Sequence, residues 1–101
     1  MATTPLTDEE IESRLAALPG WARNGDTLTK TYKFETYTDG LAFATAAGIV
    51  AEGKDHHPDI VIGWRKVALV FTTHDADSKI TSFDTDAASA IEALGFPKAK
   101  A

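Results

Sequence analysis

Two of the chain's three histidines, His56 and His57, stand side by side, and His74 follows after a short apolar segment. Imidazole is the only side chain whose unperturbed pKa lies near neutrality, so three imidazoles brought together would form a proton-transfer site. The intervening segment, residues 60–73, has the pattern of two strands, which would bring the three rings to one end of a sheet. The sequence therefore directs attention to acid–base chemistry at that end.

Three interpretations of the histidine pair are open from the residues alone. The simplest is a solvated polar junction between two elements. The second is a metal site with Asp55 or Asp59 as further ligands, although the spacing matches no zinc motif such as H-E-x-x-H. The third is general acid–base catalysis. Adjacent residues of an extended strand point to opposite sides, so catalysis requires the backbone to turn near Pro58.

Two carboxylates are placed to assist an imidazole. Glu52 precedes His56 by four residues, so the two are neighbours on one face if the helix extends that far. Such a carboxylate would orient the imidazole or raise its pKa. Asp84, at the start of the last predicted helix, could do the same for another histidine. Both also have explanations without function, Glu52 as a solvated last-turn residue and Asp84 as a first-turn helix residue.

The elements that must position these side chains are predicted from hydrophobic periodicity, capping residues and turn residues. They are a helix from about residue 8 to a stop at Pro19-Gly20, a hairpin over 21–34 with its turn at Asn24-Gly25, a helix from 36 or 38 to about 52, strands over 59–64 and 66–73, and a helix over 82–94. The order α-β-β-α-β-β-α predicts an α+β fold, a four-stranded antiparallel sheet with helices packed on one face. Gly48, inside the second helix, costs about 1 kcal/mol relative to alanine, which predicts close packing there.

Length and composition indicate one domain over residues 1–101, with loose tails at 1–6 and 97–101. A net charge of −5 gives no support to direct binding of nucleic acid or of an anionic membrane. The chain has no cysteine, which removes disulfides, thiolate chemistry and Cys-containing zinc sites. Neither a signal-peptide pattern nor a run of about 18 apolar residues is present, so we expect a cytoplasmic protein.

The spacing of the candidate residues resembles the signature of the pterin-4a-carbinolamine dehydratases, also called 4a-hydroxytetrahydrobiopterin dehydratases. The matching positions are Glu52, His56-His57-Pro58, Trp64, His74 and Asp84. Leu18-Pro19-Gly20-Trp21 is similar to the family's N-terminal Leu-x-x-Trp region, and Phe34 and Phe43 stand where the family places aromatic residues. The resemblance covers roughly residues 6–94.

The resemblance implies a lyase that works without a metal or tightly held cofactor. Its substrate would be a 4a-hydroxytetrahydropterin, which loses water to give a quinonoid dihydropterin during tetrahydropterin recycling. By position, His56 and His74 would be acids serving the leaving hydroxyl, and His57 would bind the pterin and remove a proton. The expected substrate-binding residues are Glu52, Asp55, Pro58, Trp21, Trp64, Thr73 and Asp84.

The resemblance also implies a homodimer or homotetramer, in agreement with the apolar residues on both faces of the fourth strand. Some relatives act as a dimerisation cofactor of a homeodomain transcription factor or as assembly helpers for a carbon-fixing enzyme. A non-catalytic protein-interaction module is therefore the alternative function.

The chain departs from the family pattern before its third helix. Lys79-Ile80-Thr81 replaces Gly-Leu-Thr, and Phe83 stands where many members have arginine. A loop that needs positive φ would be strained at Lys79.

Overall fold

The computed structural model describes residues 4–100. The helices and strands follow the predicted order: α1 Asp8–Leu15, β1 Ala22–Asn24, β2 Thr27–Lys33, α2 Tyr37–Gly53, β3 Asp59–Gly63, β4 Lys66–Phe71 and α3 Ser82–Glu92. The predicted α+β class and its antiparallel sheet are confirmed. Helix α1 is shorter than predicted because the chain tightens after Leu15, where the N–H groups of Ala17 and Leu18 bond carbonyls three residues back.

The four strands form one sheet in the order β1-β2-β4-β3, so β2 and β4 are central. In the β2–β4 register, Leu28 lies opposite Phe71 and Tyr32 opposite Val67. These side chains alternate into the core, as the period-2 pattern predicts. The end of β4 therefore lies inside the sheet, with β2 on one side and the edge strand β3 on the other.

Helix N-termini follow the capping signals of the sequence. Both predicted capping boxes are present, Thr7 with Glu10 at α1 and Thr81 with Asp84 at α3. At α2 the N-cap is Thr36, whose hydroxyl accepts the N–H of Asp39 at 3.0 Å. The box at α3 fixes a carboxylate in the first turn of that helix.

Small residues let α2 lie close to the sheet. Ala47 and Ala51 are fully buried, and a methyl group built on Gly40 would be 3.5 Å from Val67 and 3.6 Å from Phe34. A methyl group on Gly48 would likewise be 3.6 Å from Ile60, so at both glycines an added methyl group would make only ordinary contacts and the sheet does not require glycine there.

At both ends the chain makes contacts that differ from the predicted loose tails. The N–H of Leu6 donates to the carbonyl of Ile80 at 2.9 Å, and the N–H of Lys100 donates to the carbonyl of Lys33 at 2.7 Å. Leu6 and Ala99 also pack against the core. Residues 1–3 and 101 lie outside the described part of the chain. Within residues 4–100, every helix is too short or too polar to cross a membrane.

Candidate active site

The chain turns at the C-terminal end of α2, and this turn gives His56 and His57 different surroundings. The N–H of Asp55 donates to the carbonyl of Glu52 at 2.9 Å, and the N–H of His56 donates to the carbonyl of Ala51 at 3.1 Å. This pair of bonds, with Asp55 left-handed at φ 52°, is a Schellman motif. The turn carries His56 into the fold, where its side chain is 12% exposed, and leaves His57 61% exposed.

His56 is held at one ring nitrogen and on both ring faces. Its Nε2 lies 2.5 Å from Oδ1 of Asp84. The ring stacks on Phe71 at 5.6 Å with an interplanar angle of 7°, and on Phe83 at 5.8 Å and 28°. A carboxylate only accepts hydrogen bonds, so we assign the Nε2 proton to His56, which donates it to Asp84. The remaining nitrogen, Nδ1, is then the atom that can exchange a proton with a ligand.

Asp84 is a fully buried carboxylate with a complete set of partners. Its Oδ2 accepts the hydroxyl of Thr73 at 2.7 Å and the N–H of Thr81 at 2.8 Å. The hydroxyl of Thr81 in turn lies 2.7 Å from that of Thr73. Asp84 is thus both a first-turn capping residue and the partner of a histidine, so the two interpretations left open by the sequence hold together. Buried charges are tolerated when they are hydrogen-bonded in this way.

Glu52 bonds His57 rather than His56, the neighbour expected from helical spacing. The distance from Glu52 Oε1 to His57 Nε2 is 2.6 Å, and both side chains are largely exposed. The left-handed turn at Asp55 ends the helical spacing before His56, which explains the change of partner.

His74 lies directly beyond β4, at the start of a 3₁₀ turn over His74–Ala76. Its ring is exposed, with Nδ1 at 3.5 Å from the hydroxyl of Ser78. The loop is closed where the N–H of Thr73 donates to the carbonyl of Lys79 at 3.0 Å. The positive φ angles fall at Asp77 and Ser78, so the strain expected at Lys79 is not found there.

All three imidazoles line one surface depression of about 200 Å³. The depression is lined by Asp55, His56, His57, Thr72, Thr73, His74 and Asp75. Small-molecule pockets commonly measure about 300–1,000 Å³, so a bound bicyclic ring would keep part of its surface outside. A larger cavity of about 650 Å³ lies elsewhere and has no histidine. We place the candidate active site at the smaller depression because the three histidines converge there.

The two tryptophans are not brought to the histidines. Trp21 is buried behind the site, where its ring packs against Phe71 at 5.8 Å. Trp64 is 73% exposed in the turn between β3 and β4, one strand length or about 16 Å from the histidine end. Pro58 is half-buried just before β3 and does not line the depression. Among residues 4–100, no three His, Asp or Glu side chains are grouped to hold a metal ion.

Sequence reasoning missed three residues that fix His56, namely Phe71, Phe83 and Thr81. No sequence signal marks Phe71 as a neighbour of His56, and Phe83 stands out only as a departure from the family pattern. Thr81 carried a usable signal, since a capping-box threonine must lie beside the carboxylate at its third helical position.

The sequence of residues 4–94 matches the family model described as "Pterin 4 alpha carbinolamine dehydratase". The chain belongs to this family. A relative from Natronomonas pharaonis is 47% identical over 89 residues, which are 88% of this chain and 94% of the relative. A relative from Roseiflexus sp. is 44% identical over 91 residues, or 90% and 97% of the two chains. The names of both relatives give pterin-4-alpha-carbinolamine dehydratase activity only provisionally.

Solved structures show the same fold. A transcriptional coactivator/pterin dehydratase from Brucella melitensis aligns with a TM-score of 0.82 at 28% identity, over 89% of this chain and 97% of that one. A pterin dehydratase-like protein described as a RuBisCO assembly factor in the alpha-carboxysome aligns with a TM-score of 0.63 at 22% identity, over 76% and 90%. At that identity the second comparison speaks for the fold alone.

Proposed function

We propose that this protein is a 4a-hydroxytetrahydropterin dehydratase that uses its three histidines for acid–base catalysis. The observation that carries the proposal is the convergence of His56, His57 and His74 on one depression, with His56 anchored by the buried Asp84. Membership of the dehydratase family supplies the substrate class. The pterin is the substrate here, and the family resemblance implies no further cofactor.

The reaction needs one proton delivered and one proton removed. The bond between C4a and its hydroxyl breaks as an acid protonates the departing oxygen, which leaves as water. A base removes the N5 proton, and the electron pair of that N–H bond forms the C=N bond of the quinonoid dihydropterin. Groups that titrate near neutrality suit both steps, so a set of imidazoles can do the whole reaction.

His56 and His74 are the proposed acids. With Nε2 of His56 bonded to Asp84, the proton that His56 delivers would be carried on Nδ1, the other ring nitrogen. The rings of Phe71 and Phe83 keep His56 in one orientation. His74 reaches the same depression from the end of β4 and serves the leaving hydroxyl from that side.

His57 is proposed to bind the pterin and accept the N5 proton. Its exposed ring is oriented by Glu52, whose Oε1 lies 2.6 Å from Nε2 of His57. Asp55 and Thr73, which also line the depression, are proposed to contact the heterocycle.

The test is the appearance of quinonoid dihydropterin, followed by ultraviolet absorbance after adding a synthetic carbinolamine. Wild type should exceed the spontaneous rate, and the His56→Ala/His57→Ala/His74→Ala variant should return to it. Circular dichroism shows whether the variant is folded. If wild type is no faster than the folded triple variant, the proposed reaction is wrong.

Self-association and a cytoplasmic location are part of the proposal. Strand β3 is at a sheet edge, and its Val61 and Ile62 are 59% and 45% exposed. Exposed apolar edge strands pair readily with another chain. Light scattering at micromolar concentration should give a dimer or tetramer mass, and a monomer mass would reject this assembly.

A protein-interaction module is the second candidate, favoured by the name of the Brucella melitensis structure, which includes a coactivator role. A partner recovered from the native host in stoichiometric amount, together with no pterin turnover, would support it over the enzyme. The ordered His56–Asp84 pair favours catalysis, since a scaffold alone does not need it.

A further inference from the structure

A cavity of about 650 Å³ lies away from the histidines, between β2, the end of α3 and the segment that follows it. Its base is formed by Tyr32, Phe43 and Ile91, which are 7%, 3% and 1% exposed. The volume is within the range of small-molecule pockets, and a base of aromatic and branched side chains suits a flat apolar group.

One wall of the cavity is a fixed polar cluster around Glu92. Its Oε1 accepts Lys30 Nζ at 2.5 Å, the Tyr32 hydroxyl at 2.5 Å and the Trp21 indole N–H at 3.0 Å. Burial raises the pKa of Glu92, but hydrogen bonds from Lys30 and Tyr32 outweigh it and the pKa is lowered overall. Burial, and then Glu92, raise the pKa of Tyr32. The phenol therefore stays protonated and the carboxylate charged, so this wall is a fixed polar surface.

The cavity is positively charged in a protein of net charge −5. Four of its lining residues are lysines, and Glu92 is its only acidic lining residue among those described. Lys30 is paired with Glu92, whereas the rim residues Lys98 and Lys100 are exposed. Lys33 follows Tyr32 on β2, so its side chain points to the other face of the sheet. An anion at the rim therefore meets an excess of positive charge beside an apolar base.

We propose that this cavity is a second ligand site, which binds a small aromatic carboxylate with its ring on Tyr32, Phe43 and Ile91 and its carboxylate among the rim lysines. The site is separate from the histidines, so it does not depend on the proposed dehydratase activity. The indole N–H of Trp21 reports on it directly, because that group bonds the Glu92 wall.

The experiment titrates the whole ¹⁵N-labelled protein with 2-naphthoate and follows its two tryptophan indole resonances. The Trp21 indole should shift in a saturable way and by more than the Trp64 indole, because the depression of Trp64 shares only Lys33 and Lys100 with the cavity. The uncharged analogue 2-naphthamide should bind about fivefold or more weakly, since it lacks the charge that the lysines attract.

Two double lysine variants distinguish binding at the rim from a general attraction of the anion to positive charge. Lys98→Gln/Lys100→Gln should weaken 2-naphthoate binding about fivefold, whereas Lys54→Gln/Lys79→Gln removes the same charge elsewhere and should leave it unchanged. Equal weakening by both pairs would overturn the proposal. So would the absence of a Trp21 shift, or a saturable shift confined to Trp64.

Discussion

The protein has two histidine–carboxylate pairs at the same end of its sheet. They have nearly the same N–O distance but differ in how far their side chains are buried. His56 and Asp84 are 2.5 Å apart with side chains 12% and 0% exposed, whereas His57 and Glu52 are 2.6 Å apart with side chains 61% and 75% exposed. Within residues 4–100, only the first pair has further partners, namely the hydroxyl of Thr73 and the N–H of Thr81, which both donate to Asp84. A short distance alone therefore does not show which pair is fixed.

The difference follows from how each pair is built into the fold. Asp84 belongs to a capping box and a buried hydroxyl network, so moving it would break several bonds at once. Glu52 is on the last turn of α2, where water can replace its single partner. The buried pair is therefore held in one geometry, while the exposed pair is free to adjust.

The largest expected effect is on stability when the buried carboxylate is removed. Asp84→Ala leaves Thr73, the Thr81 N–H and His56 without a buried acceptor, so the free energy of unfolding should fall by about 3 kcal/mol or more. Urea unfolding of Glu52→Ala is the matched control and should show a loss below about 0.5 kcal/mol. Similar losses in the two variants would contradict the distinction between the pairs.

A smaller effect is expected from the hydroxyl network. Thr73→Val removes a buried donor to Asp84 and should lower the free energy of unfolding by about 1–2 kcal/mol. Thr72→Val, at the next position, removes a half-buried hydroxyl that bonds the carbonyl of Asp26 and should cost less. The idea fails if the Thr72 variant is the more destabilised of the two in the same urea experiment.

Glu92 is intermediate in burial, and its lowered pKa predicts an acid sensitivity. A carboxyl group whose folded-state pKa is below its unfolded value contributes stability that is present above the unfolded value and is lost as the pH falls through the folded value. Wild type should therefore lose more stability than Glu92→Gln when the pH is lowered from about 6 to about 3. Parallel pH dependences of the two unfolding midpoints would show that Glu92 gains nothing from its partners.

The exposed pair should give the smallest effect. A double-mutant cycle of Glu52→Gln and His57→Gln should yield a coupling energy of about 0.5 kcal/mol or less in unfolding experiments, decreasing further with added salt. A coupling above about 2 kcal/mol would mean that this pair is as well fixed as the buried one.

Local signals predicted much of this structure. Capping boxes at Thr7 and Thr81, the Asn24-Gly25 turn and the alternation along β4 gave the element order and the core face correctly. The expectation that the three histidines meet at one end of the sheet agrees with their lining of one depression; their catalytic roles stay a prediction. These features depend on residues close together in sequence or on strand periodicity. Both can be seen directly in one amino-acid sequence.

Features that depend on one dihedral angle or on long-range packing were not predictable. Because Asp55 has a left-handed φ, Glu52 pairs with His57 instead of the expected His56. Glycine at this position would have indicated such an angle, but aspartate does not. The sandwich of His56 between Phe71 and Phe83 joins three separate elements. Trp64, an expected substrate-binding residue, is in the turn between β3 and β4, at the opposite end of these strands from the histidines.

The most direct test is a double-mutant cycle on turnover of the synthetic carbinolamine, using His56→Ala and Asp84→Asn in proteins shown to be folded. If Asp84 acts through His56, each single variant should lower kcat by about 10²-fold or more, and the double variant should be no slower than His56→Ala alone. If His56→Ala turns over like wild type, or if the two losses multiply, the buried pair does not carry the proton transfer.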